Sequence, residues 1–448
     1  MELPDGLPVP KRYWAIATII LTLIMTVVDG SIVNVALPTI ARDLGISAGT
    51  SIWVINAYQL ALITTLLPLA SLGDGYGYRR IFLAGIVIFT GAALISMTAQ
   101  SLPVLITGRV LQGIGAAGIF SVNSALIRYV YPRSMLGHGI GINAFVIATA
   151  SALGPTAAAT VLSFASWHWL FAVSFPLGII AAFATVSLPP STLSRHRFDY
   201  GSALLNAVAF GLLILGIGNV VHGGWVPWLE LAVALVSGVW LVRRQLSRPF
   251  PLLPVDLLRI PLFAVAAGTS CCSYIAFMTA YVALPFHLQH VLGRSAVETG
   301  FLMTPWPLLT GIVGPISGWL SDRHSSAVLC ATGLSLFALS LALLSMLPAD
   351  ASNLDVAWRM ALAGASWAVF QAPNNRAMLR SAPRERSGGA SGILGSARVF
   401  GLTTGASITA FVFHWGSGTQ PAILTGAAIA IFAAGVSLLR IGTPRPEM

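Results

Sequence analysis

Charge is what this chain has least of. Only 8% of its 448 residues are Asp, Glu, Lys or Arg, against about a quarter in an ordinary soluble domain. With 56% hydrophobic residues and a mean hydropathy of +0.83, that shortage excludes a large soluble core and leaves a polytopic membrane protein. Cysteine is scarce as well. Cys271, Cys272 and Cys330 all fall inside apolar runs, and three thiols, two of them adjacent, build neither a disulfide framework nor a zinc site. No nucleotide-binding loop occurs, which argues against ATP hydrolysis as a driving reaction. Residues 1–10 are short and acidic, without the basic start and small-residue cleavage site of a signal peptide. The net charge of +10 is not a nucleic-acid footprint, because the arginines gather in loops rather than on one folded face. No nucleic acid, metal or cofactor is expected.

What the chain has is apolar runs. Windows of about 20 apolar residues mark spanning helices. They fall at 13–38, 51–72, 79–99, 103–126, 137–163, 168–188, 201–220, 227–242, 261–289, 297–320, 327–347, 355–378, 388–413 and 421–440. The fold class is therefore all-α, with fourteen spans. Threading them alternately puts nineteen of the 24 basic residues on one side and three, Arg42, Arg294 and Arg359, on the other. Arg109 and Arg398 remain inside helices. By the positive-inside rule both termini are cytoplasmic. Most tryptophans fall near the interfaces; Trp306 and Trp367 lie mid-span.

Among the 14 acids, Asp29 is the one placed deep in a span. A carboxyl in hydrocarbon costs roughly 2.5–3.5 kcal/mol on insertion scales, so it needs a partner or a task. Arg109 is the nearest cation by depth. At 1.5 Å per residue it lies about 10 Å, and Asp29 roughly 14 Å, below the same membrane edge. One shared polar pocket is expected; separate solvation of each is the alternative. A carboxyl beside a movable cation can take and release a proton as the two approach and part.

Two turns carry acid–base patterns. Asp74 precedes Gly77, Arg79 and Arg80 in Leu-Gly-Asp-Gly-Tyr-Gly-Tyr-Arg-Arg, and Asp322 precedes Arg323 in Gly-Trp-Leu-Ser-Asp-Arg, again after an apolar helix on the cytoplasmic side. Each pattern predicts a charge clasp, with a solvated basic loop as the alternative. Their echo suggests a parallel internal repeat, a mark of one transporter class.

These residues together resemble the major facilitator superfamily, in its fourteen-helix drug:proton antiporter branch. The Asp74 turn is similar to the family's loop between helices two and three, keeping Asp74, Gly77 and Arg79 while Ala70, Gly75 and Tyr78 depart from it. Val28-Asp-Gly-Ser-Ile-Val-Asn-Val-Ala-Leu-Pro38 resembles the branch's first-helix motif. Arg109-Val-Leu-Gln-Gly-Ile-Gly resembles that of helix four, and Gly154-Pro155 the core of the antiporter motif in helix five.

The resemblance implies two six-helix bundles, residues 1–190 and 259–448, with linkers and two inserted helices between them at 191–258. It implies no enzyme. The expected function is proton-coupled export of small amphipathic molecules by a monomer in the inner membrane. Asp29 would carry the proton with Arg109 as modulator. Asp74, Gly77, Arg79, Asp322 and Arg323 would form the cytoplasmic gate, and Gly154 and Pro155 a seam against proton leak. Asn34, Tyr58, Gln59, Gln112, Trp306, Phe370, Asn374 and Arg398 are the candidate cavity residues. Helix packing with a snorkelling arginine fits the second-half members equally. Glu230 in the inserted pair is expected to take no part, and His287 and His290 read as solvated loop histidines. A uniporter or lipid-like exporter is the alternative on the same fold; a membrane sensor would need a soluble readout domain.

Overall fold

The computed structural model describes residues 5–191, 198–220, 223–248, 254–383, 386–416 and 418–442. Among them there is no strand. Fourteen helical segments follow in chain order. They are α1 (Lys11–Asp43), α2 (Ala48–Tyr76), α3 (Tyr78–Met97), α4 (Leu102–Val130), α5 (Leu136–Phe164), α6 (His168–Ser187), α7 (Tyr200–Asn219), α8 (Val226–Leu246) and α9 (Pro261–Val291). The remainder are α10 (Ala296–Met303, resumed as Pro305–Leu320), α11 (Ser326–Ser345), α12 (Asn353–Ser381), α13 (Ser387–His414) and α14 (Thr419–Leu438).

Eleven helices among the described residues are long and apolar enough to cross a membrane. The other three segments fall short for local reasons. A break at Thr304, before Pro305, divides α10. Asp355, Arg359, Asn374, Arg376 and Arg380 lower the apolar character of α12, and α13 is rich in Gly, Ser and Thr and holds Arg398. Several ends overrun the apolar windows, among them those of α1, α2, α4 and α8. α1 continues through the buried Pro38 to Asp43. α8 continues through Arg243 and Arg244, where cations favour the negative end of the helix dipole. A hydropathy window stops at the first charges; the backbone ladder does not.

Within the first six helices α4 packs against α2 and α3, and α1 against α5. In the last six, α9 packs on α13 and α14, and α12 on α10 and α11. α7 and α8 pack on each other, with α7 also touching α2 and α13. Asp199 caps α7 by accepting from Ser202 N, and Arg244 of α8 returns to the same carboxylate at 2.8 Å. At the other end of the pair Asn219 donates to Glu230.

The two ends of the molecule are joined differently. At the end far from the chain termini, one hydrophobic core runs through both groups. It takes in Val35, Leu37, Ile40 and Phe171 from the first group and Phe286, Leu288, Leu302 and Met303 from the second. Among the described residues, side-chain bonds that cross there are Asn56 to Ser407 (3.2 Å), Gln289 to the Val35 carbonyl (3.3 Å) and Thr156 with Thr304 (2.7 Å). At the end that bears the termini and the Asp74 and Asp322 turns, the cores separate. One is built on Leu23, Phe82, Phe89 and Val122, the other on Phe263, Met378 and Ile393. The conformation is closed at the far end.

Candidate functional site

Asp29 sits just past the middle of α1, fully buried, and Arg109 sits in α4 at 1% exposure. Arg109 Nη1 lies 2.6 Å from Asp29 Oδ2. Gln112, one helical turn further along α4, donates to Asp29 Oδ1 at 3.1 Å and accepts from Arg109 Nη1 at 2.9 Å. Arg109 Nε donates to the Val54 carbonyl of α2 at 3.1 Å. The guanidinium lies 4.4 Å from the centre of the Tyr58 ring and 5.8 Å from that of Phe171. Ser96 of α3 donates to Gln112 Oε1.

Four helices thus join one hydrogen-bonded cluster, and both oxygens of its carboxylate accept a hydrogen bond. Such a pair is costly to desolvate. Removing one partner strands the other charge at about 3–5 kcal/mol. The ion pair leaves no water-accessible oxygen on Asp29 in this conformation. Arg109 and a proton would compete for the same carboxylate.

Gly154 and Pro155 lie where α5 meets α1 and α10. A Cβ at Gly154 would come within 2.3 Å of Ser31 Cβ on α1, and the Pro155 carbonyl approaches Gly300 of α10 equally closely, 2.6 Å from a Cβ there. Close approach, rather than chain flexibility, explains the small residues. α5 touches α1 on one side and α10 on the other, at the closed end.

The turns differ from the clasps expected of them. Gly77 takes φ +100, open to glycine, and ends α2 while starting α3. This brings Tyr78 one turn above Asp74, and its hydroxyl donates to Asp74 Oδ1 at 2.6 Å. Neither Arg79 nor Arg80 forms an ion pair with Asp74; the residue that departs from the family pattern supplies the partner. In the second turn Asp322 pairs with Arg376, and at 3.7 Å with Arg380, both from α12. Arg323 instead stacks on Trp319, its guanidinium 4.3 Å from the ring. The acid faces the neighbouring helix, where two cations one turn apart present themselves.

The candidate cavity residues divide by exposure. Asn34, Tyr58, Gln112, Trp306, Phe370 and Asn374 are buried, Gln59 is half-buried and Arg398 is exposed. Asn374 belongs to a packed polar knot. It donates to Ser270 Oγ at 2.7 Å and accepts from Arg440, which is itself buried near Cys330. Trp306 and Phe370 are core rings, Trp306 edge-on to Phe277 at 5.4 Å and Phe370 5.2 Å from Trp367. His287 is also buried, not solvated: it sits in a π-helical turn ending α9 and bonds Thr419 at 2.7 Å, whereas His290 is exposed.

Sequence reasoning missed three partners. Gln112 belongs to the charge cluster, and its i+3 spacing from Arg109 on one helix face was the available signal. The Val54 carbonyl and the inward turn of Arg440 had none.

The structure is an all-helical membrane protein with a buried ion pair among its first helices. The model for the Major Facilitator Superfamily matches residues 19–267 and 266–448, and the chain belongs to that family. It is 50% identical over 448 residues to the uncharacterized transporter YebQ of Escherichia coli (strain K12), covering 98% of each chain. It is 28% identical to the riboflavin transporter RibZ of Clostridioides difficile (strain 630), over 90% of this chain and 89% of that one. Identity to the multidrug resistance protein Stp of Mycobacterium tuberculosis (strain CDC 1551 / Oshkosh) is 30%, over 89% and 75%. The in meso crystal structure of the POT family transporter PepTSo superposes with a TM-score of 0.71 over 95% of this chain and 97% of that one, at 14% identity. That likeness speaks for the fold alone.

Proposed function

We propose that this transporter is a drug:proton antiporter of the fourteen-helix branch, exporting small amphipathic molecules across the inner membrane as a monomer. The observation that carries the reading is the buried Asp29–Arg109–Gln112 cluster. A carboxylate retained in hydrocarbon with a competing cation is a proton site waiting for its cation to withdraw. The fourteen segments, and relatives named for multidrug resistance and riboflavin transport, support export of organic molecules rather than of one ion. Nineteen basic residues on one side support cytoplasmic termini.

In this reading residues 1–190 and 259–448 rock as two domains, joined by the 191–258 insert. The closed far end is then the periplasmic gate, and the conformation faces the cytoplasm. The ion pair is the proton-released form. After the far end opens, a proton taken by Asp29 displaces Arg109, and reversal of the motion returns it. Asp74 with Tyr78, and Asp322 with Arg376, bias the cytoplasmic face by forming only in some states of the cycle.

The test is flux of a panel of amphipathic dyes in proteoliposomes, with and without an imposed pH gradient. Acceleration by the gradient supports antiport. Gradient-independent flux would point to a uniporter.

A further inference from the structure

Resting on that transport reading, the second half of the molecule carries information on the substrate. Arg398 lies in the middle of α13, exposed. Its guanidinium sits 5.7 Å from the centre of the Tyr274 ring on α9. Among the described residues no carboxylate lies within ion-pair distance of it and no protein group accepts a hydrogen bond from it. A guanidinium presents five donors in a rigid fork, and a ring face satisfies none of them.

Its neighbours show that it points inward. Val399 packs against the first-half core, and Phe400 meets Phe210 of α7 at 6.1 Å. Arg398 therefore takes the side where α9 and α12 meet, at the hydrogen bond of 2.8 Å from Gln371 to the Tyr274 hydroxyl. Tyr274 is buried, and behind it the rings continue. Trp367 lies edge-on to Tyr274 at 5.2 Å and tilted on Phe277 at 4.8 Å. That wall belongs to α9 and α12, and α13 carries Arg398 on the face turned toward them, away from its Val399 and Phe400 contacts with the first-half core and α7.

Acids elsewhere in the molecule are already spent. Asp29 is neutralised by Arg109. Glu298 is held in the capping box of α10, Asp322 by Arg376, and Asp355 by Arg359. One cation stands open beside an aromatic wall. A cationic ligand there would meet uncompensated like charge, whereas an acid group would fill the fork bidentately.

We propose that Arg398 recognises the acid group of planar aromatic substrates, whose rings pack beside Tyr274 against the half-buried Phe277. The transported class is aromatic organic anions rather than organic cations.

The test uses three probes of one ring and different charge, 2-naphthoate, 2-naphthalenemethanol and 2-naphthylmethylammonium. Equilibrium binding to the purified full-length protein is followed by tryptophan fluorescence, without a pH gradient. The expected order of affinity is anion, then neutral, then cation. Arg398→Gln should weaken the anion by about tenfold or more, to near the neutral probe, and leave the neutral probe unchanged. Arg398→Lys, which keeps the charge but not the fork, should fall between. Unchanged binding of the neutral probe verifies that each variant is folded; if Arg398→Gln unfolds, the wild-type order and Arg398→Lys decide. No saturable binding of the anion, a cation bound as tightly, or an unchanged anion affinity in Arg398→Gln would overturn the proposal. Because no gradient is imposed, loss of proton coupling with this order intact would remove the antiport reading alone. Gradient-driven flux of the cation with no binding of the anion would remove this one alone.

Discussion

Arg109 and Arg398 are the same residue inside long helices of the two halves of one molecule, and their surroundings are opposite. Arg109 spends its donors on Asp29, Gln112 and the Val54 carbonyl and shows 1% of its surface. Arg398 rests on one ring and stays exposed. Depth alone says that an arginine is expensive; what satisfies it says what it is for. The first half holds a closed electrostatic cluster, whose state can change only if something charged enters or leaves. The second half holds an open one, which a ligand can complete.

The largest effect that would break this comparison is on stability. Arg109→Ala strands a buried carboxylate and should destabilise the protein by about 3–5 kcal/mol. Arg398→Ala removes no satisfied partner and should stay within about 0.5 kcal/mol. Thermal unfolding in detergent compares the two, and equal losses would erase the distinction. A smaller effect lies in the Asp74 turn. The hydroxyl of Tyr78 should contribute about 0.5–1.5 kcal/mol. In double-mutant cycles Tyr78→Phe should couple to Asp74→Asn, while Arg79→Gln should not. Coupling to Arg79 instead would restore the charge clasp.

The smallest effect concerns the inserted pair. Burial pushes the Asp199 carboxyl up, but hydrogen bonds from Arg244 and Ser202 outweigh it and hold it below the usual carboxylate range. A depressed folded pKa gives a contribution that is present above the unfolded value of about 3.9. It is lost as pH falls further, through the folded value. Both partners are partly exposed, so it should amount to about 1 kcal/mol or less. Unfolding midpoints of Asp199→Asn and wild type should differ slightly at neutral pH and converge in strong acid. A difference that widens in acid would contradict the assignment.

Much of the fold was legible because a bilayer demands long apolar runs, and composition alone reveals them. The Asp29–Arg109 pair was legible because depth can be counted along two helices. The partners in the turns were not. Whether Asp74 meets Arg79 or Tyr78 depends on the φ of Gly77, and Asp322 finds its cations on α12, more than fifty residues away. Asn374 read as a cavity residue because nothing in the sequence says that Arg440, 66 positions on, turns inward to meet it. His287 read as a loop residue because an apolar window does not anticipate a π-helical turn that carries it under Thr419.

The central claim is that Asp29 carries the coupling proton, and Asp29→Asn tests it most directly. Asparagine keeps the shape and some hydrogen bonds but cannot ionise. Substrate flux is measured in proteoliposomes against an imposed pH gradient, with exchange at equal pH and the melting temperature recorded beside it. The double variant Asp29→Asn with Arg109→Gln controls for a stranded cation. The account predicts that gradient-driven flux disappears in both variants while exchange at equal pH persists, and that the double variant regains stability without regaining coupling. Full gradient-driven flux in folded Asp29→Asn protein would contradict it.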